Sequence, residues 1–176
     1  MIIYFLRHAS AGERMSNLKK DEKRGLDQIG IEQCGNVGRT LTTLEIQVDV
    51  VISSPLKRAT QTASLICNEM GYEGKLQLDN ALRPGAVFAE FRKLLDKCSR
   101  YDSIMVVGHN PNLSEFLGRV ISETGCEAFV ELKKGAVAKV EMSRNSGVLH
   151  WCLTPKILRA LYAAAAESSR PKTSRK

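Results

Sequence analysis

The chain has no C-x-x-C pair, only three histidines, few aromatic side chains and no apolar run that approaches the ~18 residues a membrane span requires. Each shortage removes a class. Five cysteines (Cys34, Cys67, Cys98, Cys126, Cys152) are too scattered, and odd in number, for a disulfide scaffold. With three histidines they make a poor zinc cluster, so free thiols, a reducing compartment and no metal or other cofactor are expected. Aromatic residues are 6% of the chain, which leaves few platforms for stacked bases and speaks against nucleic acid as a partner. The opening Met1-Ile2-Ile3-Tyr4-Phe5-Leu6 is too short for a signal sequence and has no basic residue ahead of it, so a soluble, cytoplasmic protein without membrane contact is expected. Of the net charge of +7, four charges come from Arg170, Lys172, Arg175 and Lys176, in residues 168–176, which hold no acid. Residues 167–176 are accordingly expected to be a disordered basic tail behind one domain of residues 1–166.

What is present is an alternation of buried strands and amphipathic helices. Ile2–Leu6 and Ile104–Val107 are short continuous apolar runs and Val48–Ile52 is apolar but for Asp49, as expected of strands covered on both faces. Ser10–Gly25 has no period and reads as a long loop, of the kind that is often functional. Asp27 reads as the N-cap of a helix with Ile29, Cys34, Val37, Leu41 and Leu44 on its apolar face. Ala59, Thr62, Ala63, Ile66 and Met70 define a second helix that Gly71 ends. A short strand near Leu76–Leu78 and a helix with Val87, Phe88, Phe91, Leu94 and Leu95 follow. Asn110 reads as the cap, and Pro111 as the first turn, of a helix carrying Leu113, Phe116, Leu117, Val120 and Ile121. The alternation in residues 136–142, the turn at Asn145-Ser146-Gly147 and the return at Val148–Leu153 predict an antiparallel hairpin, and Pro155 opens a last helix. The expected fold is a single-domain, three-layer α/β/α sandwich with a mostly parallel sheet and a hairpin at one edge.

Three motifs each follow the end of a predicted strand: Leu6-Arg7-His8-Ala9, Ser53-Ser54-Pro55-Leu56-Lys57-Arg58 and Val107-Gly108-His109-Asn110. In open α/β sheets the ligand crevice lies outside the carboxyl ends of the strands, where Arg7, His8, Arg58 and His109 would converge. Two guanidinium forks suit phosphate oxygens. Of two imidazoles in such an electropositive pocket, one can attack phosphorus while the other donates to the transferred oxygens. The arginine charges disfavour protonation of the attacking ring and stand in for a metal ion. Arg58 at the start of a helix is poorly placed with respect to the helix dipole, which calls for an anion nearby. His150, on the hairpin beside Trp151, sits among no other motif and is read as without function.

Phe5-Leu6-Arg7-His8-Ala9, the run Ser53–Thr62 (SSPLKRATQT) and Val107-Gly108-His109-Asn110 resemble the three signatures of the histidine phosphatase superfamily, the phosphoglycerate mutase-like fold. Pro84-Gly85, the short chain and the ending Trp151-Cys152-Leu153-Thr154-Pro155 are most similar to its SixA branch, the phosphohistidine phosphatases. The resemblance implies a two-step, cofactor-free reaction through a phosphohistidine intermediate. His8 would be the nucleophile, with Arg7, Arg58 and His109 as the phosphate pocket. Arg24 resembles a further arginine of this branch that faces the pocket or lines its entrance.

The chain departs from the family pattern twice. Ala9 stands where the first motif usually has Gly, and fits if its φ stays below zero. Ala81, within Asp79–Pro84, stands where larger members supply a glutamate that protonates the leaving group; Asp79 or Glu90 could serve if the loop folds back. An alkoxide leaving group needs such an acid, worth about 10²–10⁴-fold, whereas a protonated phosphoramidate needs it less. The sequence therefore favours a phosphorylated protein, such as a phosphotransfer domain with a role in signalling, reached through a shallow open pocket. A small phosphorylated metabolite is the alternative, expected to come with a deep pocket closed by residues 10–25. A phosphate-binding module without turnover is the reading from another class. No oligomeric state follows from the sequence.

Overall fold

The computed structural model describes residues 1–122, 128–143 and 146–168. Strand β1 (Ile2–Arg7) leads into the segment 8–27, which contains a short helix α1 (Leu18–Glu22). Then come α2 (Gln28–Thr43), β2 (Val50–Ser53), α3 (Lys57–Met70), β3 (Gln77–Leu78), a 3₁₀ turn (Asn80–Leu82) and α4 (Phe88–Lys97). β4 (Ser103–Gly108), α5 (Asn112–Ile121), β5 (Val137–Met142), β6 (Gly147–Leu153) and α6 (Pro155–Ser168) complete the order.

The six strands form one sheet in the order β3-β2-β4-β1-β5-β6, in which β5 runs opposite to the other five. The three strands that precede the motifs are adjacent and parallel. Their ends are level, because Arg7 pairs with Gly108 and Ser53 with Val107. Alternation along β1 divides the core in two. Ile3 and Phe5 face α4 and α5 with Phe91, Phe116 and Leu117, while Tyr4 and Leu6 face α2, α3 and α6 with Val37, Leu41, Ile66 and Leu158. This is the three-layer sandwich, with β5 and β6 as the edge hairpin.

Details differ from the pattern-based expectations. The buried face of α2 is Gly30, Cys34, Val37 and Leu41, while Ile29, about 100° round from that stripe, is 55% exposed and Leu44, just past the last helical residue, is 51% exposed. Val87 precedes α4 and is exposed. Asn110 does not cap α5, which begins at Asn112. Its side-chain N–H₂ donates to the Leu132 carbonyl (2.9 Å) and its oxygen accepts from Ser114 Oγ (3.0 Å), tying β4 to the approach to β5. Ser10–Gly25 is not all loop, since α1 lies within it, capped by Asn17. Helix α6 runs through Ser168, two residues into the segment expected to be tail. Residues 169–176, Cys126 and Asn145 of the predicted turn lie outside the described residues. Among the described residues no helix is long and apolar enough to cross a membrane. His150 bonds Glu141 on the exposed hairpin face.

Phe91 is fully buried, stacked on Phe116 (ring centroids 4.8 Å apart) and tilted against Phe5 (5.7 Å). Phe91→Ala is expected to cost about 3–5 kcal/mol of stability, read from denaturant unfolding. A loss under about 1 kcal/mol would mean this half of the core can collapse around the missing ring.

Candidate active site

The level strand ends bring the predicted residues together. Arg7 ends β1 and His8 follows it; Ser54 follows β2; Arg58 lies in the first turn of α3; His109 follows β4. The rings of His8 and His109 are 4.8 Å apart, and both are buried. Arg7, His8, Arg58, His109 and Arg24 all line one cleft of about 770 Å³.

Each group is held by one edge. His8 Nδ1 donates to the Ala9 carbonyl at 2.8 Å, which puts the ring proton on Nδ1 and leaves the Nε2 lone pair available. Nη1 of Arg7 donates to the Leu132 carbonyl at 2.7 Å, and Nη1 of Arg58 to the Asp21 carbonyl at 2.9 Å. His109 Nε2 meets Ser54 Oγ at 2.8 Å. With the Ser54 hydroxyl as donor there, the His109 proton sits on Nδ1. Left over are Arg7 Nε, Arg58 Nε and His109 Nδ1, buried and without a hydrogen-bond partner among the described residues. Buried polar atoms nearly always have partners, and three orphans in one cleft fit an anion with several oxygens.

The electrostatics agree. Burial, then the charges of Arg58, Arg7 and Lys134, pull the His8 pKa down to about 3 against the Ala9 bond that favours protonation. Burial and the neighbouring His8, Arg58 and Arg7 pull His109 down to about 2. Both rings are therefore neutral near pH 7. Burial also lowers the pKa of Arg7 and Arg58, yet guanidinium stays protonated. The cysteines Cys34 and Cys67 are pushed up to about 12 and about 11 by burial, so neither is a competing nucleophile near neutral pH.

Ala9 accommodates its position without strain, since its φ is not positive, and its N–H donates to Thr62 Oγ1 at 3.0 Å. Thr62 in turn donates to the Arg58 carbonyl at 2.7 Å, joining the two motifs. Gly30 lets α2 pass close beneath, because a Cβ there would lie 2.0 Å from the Ser10 carbonyl oxygen. Arg24 reaches the cleft but is spent on structure, with Nε on Asp21 (2.8 Å) and Nη1 on the Ala11 carbonyl (2.6 Å).

The residue that pattern reading missed is Asp21. It is buried on α1, accepts from Arg24 and Met15 N–H (2.9 Å), and has its other oxygen 3.3 Å from Arg58. This is the anion that the dipole argument called for, supplied by the protein. The hydrogen bond from Arg24 leads in holding its pKa down to about 2. The proposed proton donors are elsewhere: Asp79 Oδ1 caps the 3₁₀ turn at Ala81 N–H (2.8 Å) and Glu90 accepts from Val87 N–H (3.0 Å), and neither lines the cleft. The condition under which either could serve, a loop folded back onto the site, is not met. Glu22 and Glu115 do line the cleft, paired with Arg83 and Arg119.

The model of the histidine phosphatase superfamily (branch 1) matches residues 3–84, the span holding His8 and Arg58. Over those residues, a little under half of its length, the chain is similar to that superfamily. A curated relative, the mitochondrial serine/threonine-protein phosphatase Pgam5 of Drosophila persimilis, is 40% identical over 86 residues, which are 48% of this chain but only 28% of that protein. Among solved structures, the protein histidine phosphatase SixA complexed with tungstate superposes with a TM-score of 0.80 at 20% identity, covering 90% of this chain and 99% of that one. The phosphoglycerate mutase of Bacillus anthracis str. Sterne superposes at 0.69 with 14% identity, covering 90% and 95%. At these identities the structural likeness is one of fold, the phosphoglycerate mutase-like fold.

Two outcomes test the site. The depressed His8 and His109 pKa values mean that the unfolded chain takes up protons first as pH falls, so stability should decline below about 6.5 and keep declining toward about 3. Denaturant midpoints across that range measure it; in His109→Asn the decline should be shallower. Separately, Asp21→Asn leaves Arg58 without its counter-charge and should destabilise by about 1–3 kcal/mol, read from the same unfolding experiment at pH 7.

Proposed function

We propose that this chain is a phosphatase that takes a phosphoryl group onto His8 Nε2 and passes it to water, acting on phosphohistidine carried by another protein. The observation that supports it is the neutral His8, with Nε2 free, beside three buried polar atoms that lack partners. Attack by the Nε2 lone pair forms a P–N bond while the substrate's own P–N bond breaks, and the leaving imidazole keeps the electron pair. It departs neutral when its other nitrogen carries a proton. Phosphorylated His8 is cationic, because Nδ1 stays protonated on the Ala9 carbonyl. Water then attacks phosphorus, the Nε2–P bond breaks, and the ring returns to its neutral form with inorganic phosphate released. Arg7, Arg58 and His109 donate to the oxygens as charge spreads over them.

The N–P substrate is favoured because no carboxylate of the 79–90 segment reaches the cleft to protonate an alkoxide. Asp21, held ionised, is a poor proton donor. The name of the SixA neighbour agrees with a protein phosphohistidine substrate. A second reading, a phosphomonoester on a metabolite or on a serine or threonine as the name of the fly relative states, has its own support: residues 10–25 do line the cleft, and Glu22 and Glu115 stand at it.

A side-by-side hydrolysis assay with and without EDTA separates the readings. Wild type is expected to release phosphate from a phosphohistidine protein in preference to glycerate, sugar and seryl phosphates, with EDTA without effect. Label from phosphorus-32 substrate should be trapped on the enzyme in an acid-labile, alkali-stable form and be missing in His8→Ala, whose turnover falls about 10⁴-fold or more. Arg58→Ala should lose about 10²–10³-fold in kcat/KM. Preference for a monoester would move the second reading to first, and turnover surviving in His8→Ala would overturn the nucleophile. Binding of phosphate with no turnover by wild type would leave only a phosphate-binding module.

A further inference from the structure

We infer that the mouth of the cleft is a docking face for an acidic protein surface around the phosphorylated side chain, an inference that rests on the protein-phosphatase reading. Six cations line the cleft against three carboxylates. The carboxylates are already engaged: Asp21 between Arg24 and Arg58, Glu22 with Arg83, and Glu115 with Arg119. Arg7 is tied to the Leu132 carbonyl and, with Arg58, offers its free edge to the phosphoryl oxygens. Arg14 and Lys134 are what remain. Both are exposed, and neither has an ion pair or hydrogen bond among the described residues. They come from separate segments, Arg14 from the stretch before α1 and Lys134 from the loop before β5. Yet the field of Arg14 reaches Arg58 and that of Lys134 reaches His8.

A phosphoryl group is matched by Arg7, Arg58 and His109 without them. The two loose cations therefore address charge on whatever surrounds that group. A second anion on a small metabolite would use the cations alone, but the same mouth also presents Leu18 and Val87, 68% and 57% exposed. Apolar side chains beside unpaired charge around a buried polar site are the make-up of a surface that meets another protein. Charge of one sign at its rim steers a partner of the other sign.

The probes are two phosphohistidine peptides identical except for flanking glutamates in one and flanking lysines in the other, with phosphoramidate as the small substrate. Wild type should turn over the glutamate-flanked peptide with a kcat/KM about fivefold to tenfold higher, a margin that shrinks as salt is raised. In Arg14→Ala/Lys134→Ala the margin should vanish while phosphoramidate turnover holds, which also reports that the variant is folded. Equal turnover of both peptides by wild type would overturn the inference and leave the phosphatase reading standing. An equal loss on phosphoramidate in the double variant would also overturn it, assigning the two cations to the phosphoryl site. Turnover of phosphoramidate or a monoester with neither peptide touched would bring down the protein-substrate reading, and the docking face with it.

Discussion

The structure turns on a buried cation in an unfavourable place. Arg58 is 5% exposed and lies in the first turn of α3, where the helix dipole presents its positive end. Such a charge persists only if anionic partners are brought to it. Asp21 brings them, with its carbonyl at 2.9 Å and a carboxylate oxygen at 3.3 Å, and the other oxygen of that carboxylate collects Arg24 and the Met15 N–H. The consequence is long-range: the segment between β1 and α2 is drawn over the carboxyl ends of the strands. Hydrophobic burial builds the sandwich, but charge pairing folds this strap and gives the cleft one of its walls.

The same field sets the state of the histidines. With two guanidinium groups beside them and little water, His8 and His109 are cheaper neutral than charged. Geometry then decides which nitrogen is available, through the Nδ1 bond of His8 to Ala9. Ala9 is in turn fixed by Thr62, which stands one turn along α3 from Arg58 and bonds its carbonyl. One helix thus delivers both the arginine and the hydroxyl that steadies the histidine loop. A slip of α3 along its axis would disturb all of these groups together.

How much of this is legible in the sequence follows from which force shapes each part. The strands Ile2–Arg7, Val50–Ser53 and Ser103–Gly108 are buried on both faces, so continuous apolar runs announce them, and the convergence of Arg7, His8, Arg58 and His109 follows from parallel order alone. Helix α1 is five residues long and held by Asp21, so it has no apolar period to read. Its one trace in the sequence was the poor position of Arg58, which asked for an anion without naming it. Ile29 and Leu44 misled because an apolar residue beside the stripe of a helix, or just past its end, costs little at the surface. Asn110 before Pro111 has the composition of a cap, but a side-chain amide goes to the partners that need it, here the Leu132 carbonyl and Ser114.

The carboxylates of residues 79–90 bear on the choice of substrate through what they already do. Asp79 satisfies the N–H of Ala81, and Glu90 satisfies that of Val87 at the start of α4. Both bonds serve turns whose backbone donors would otherwise lack partners. Turning either acid toward His8 would release those donors, and Ala81, buried at 6% exposure, leaves no side chain there to take over. A leaving group that must be protonated by the enzyme is therefore poorly served from this side of the cleft. One that departs already neutral, as a protonated imidazole ring does, makes no such demand. The local hydrogen bonding of the 79–90 segment is thus the physical ground on which the proposed phosphoramidate chemistry rests, independent of any relative's name.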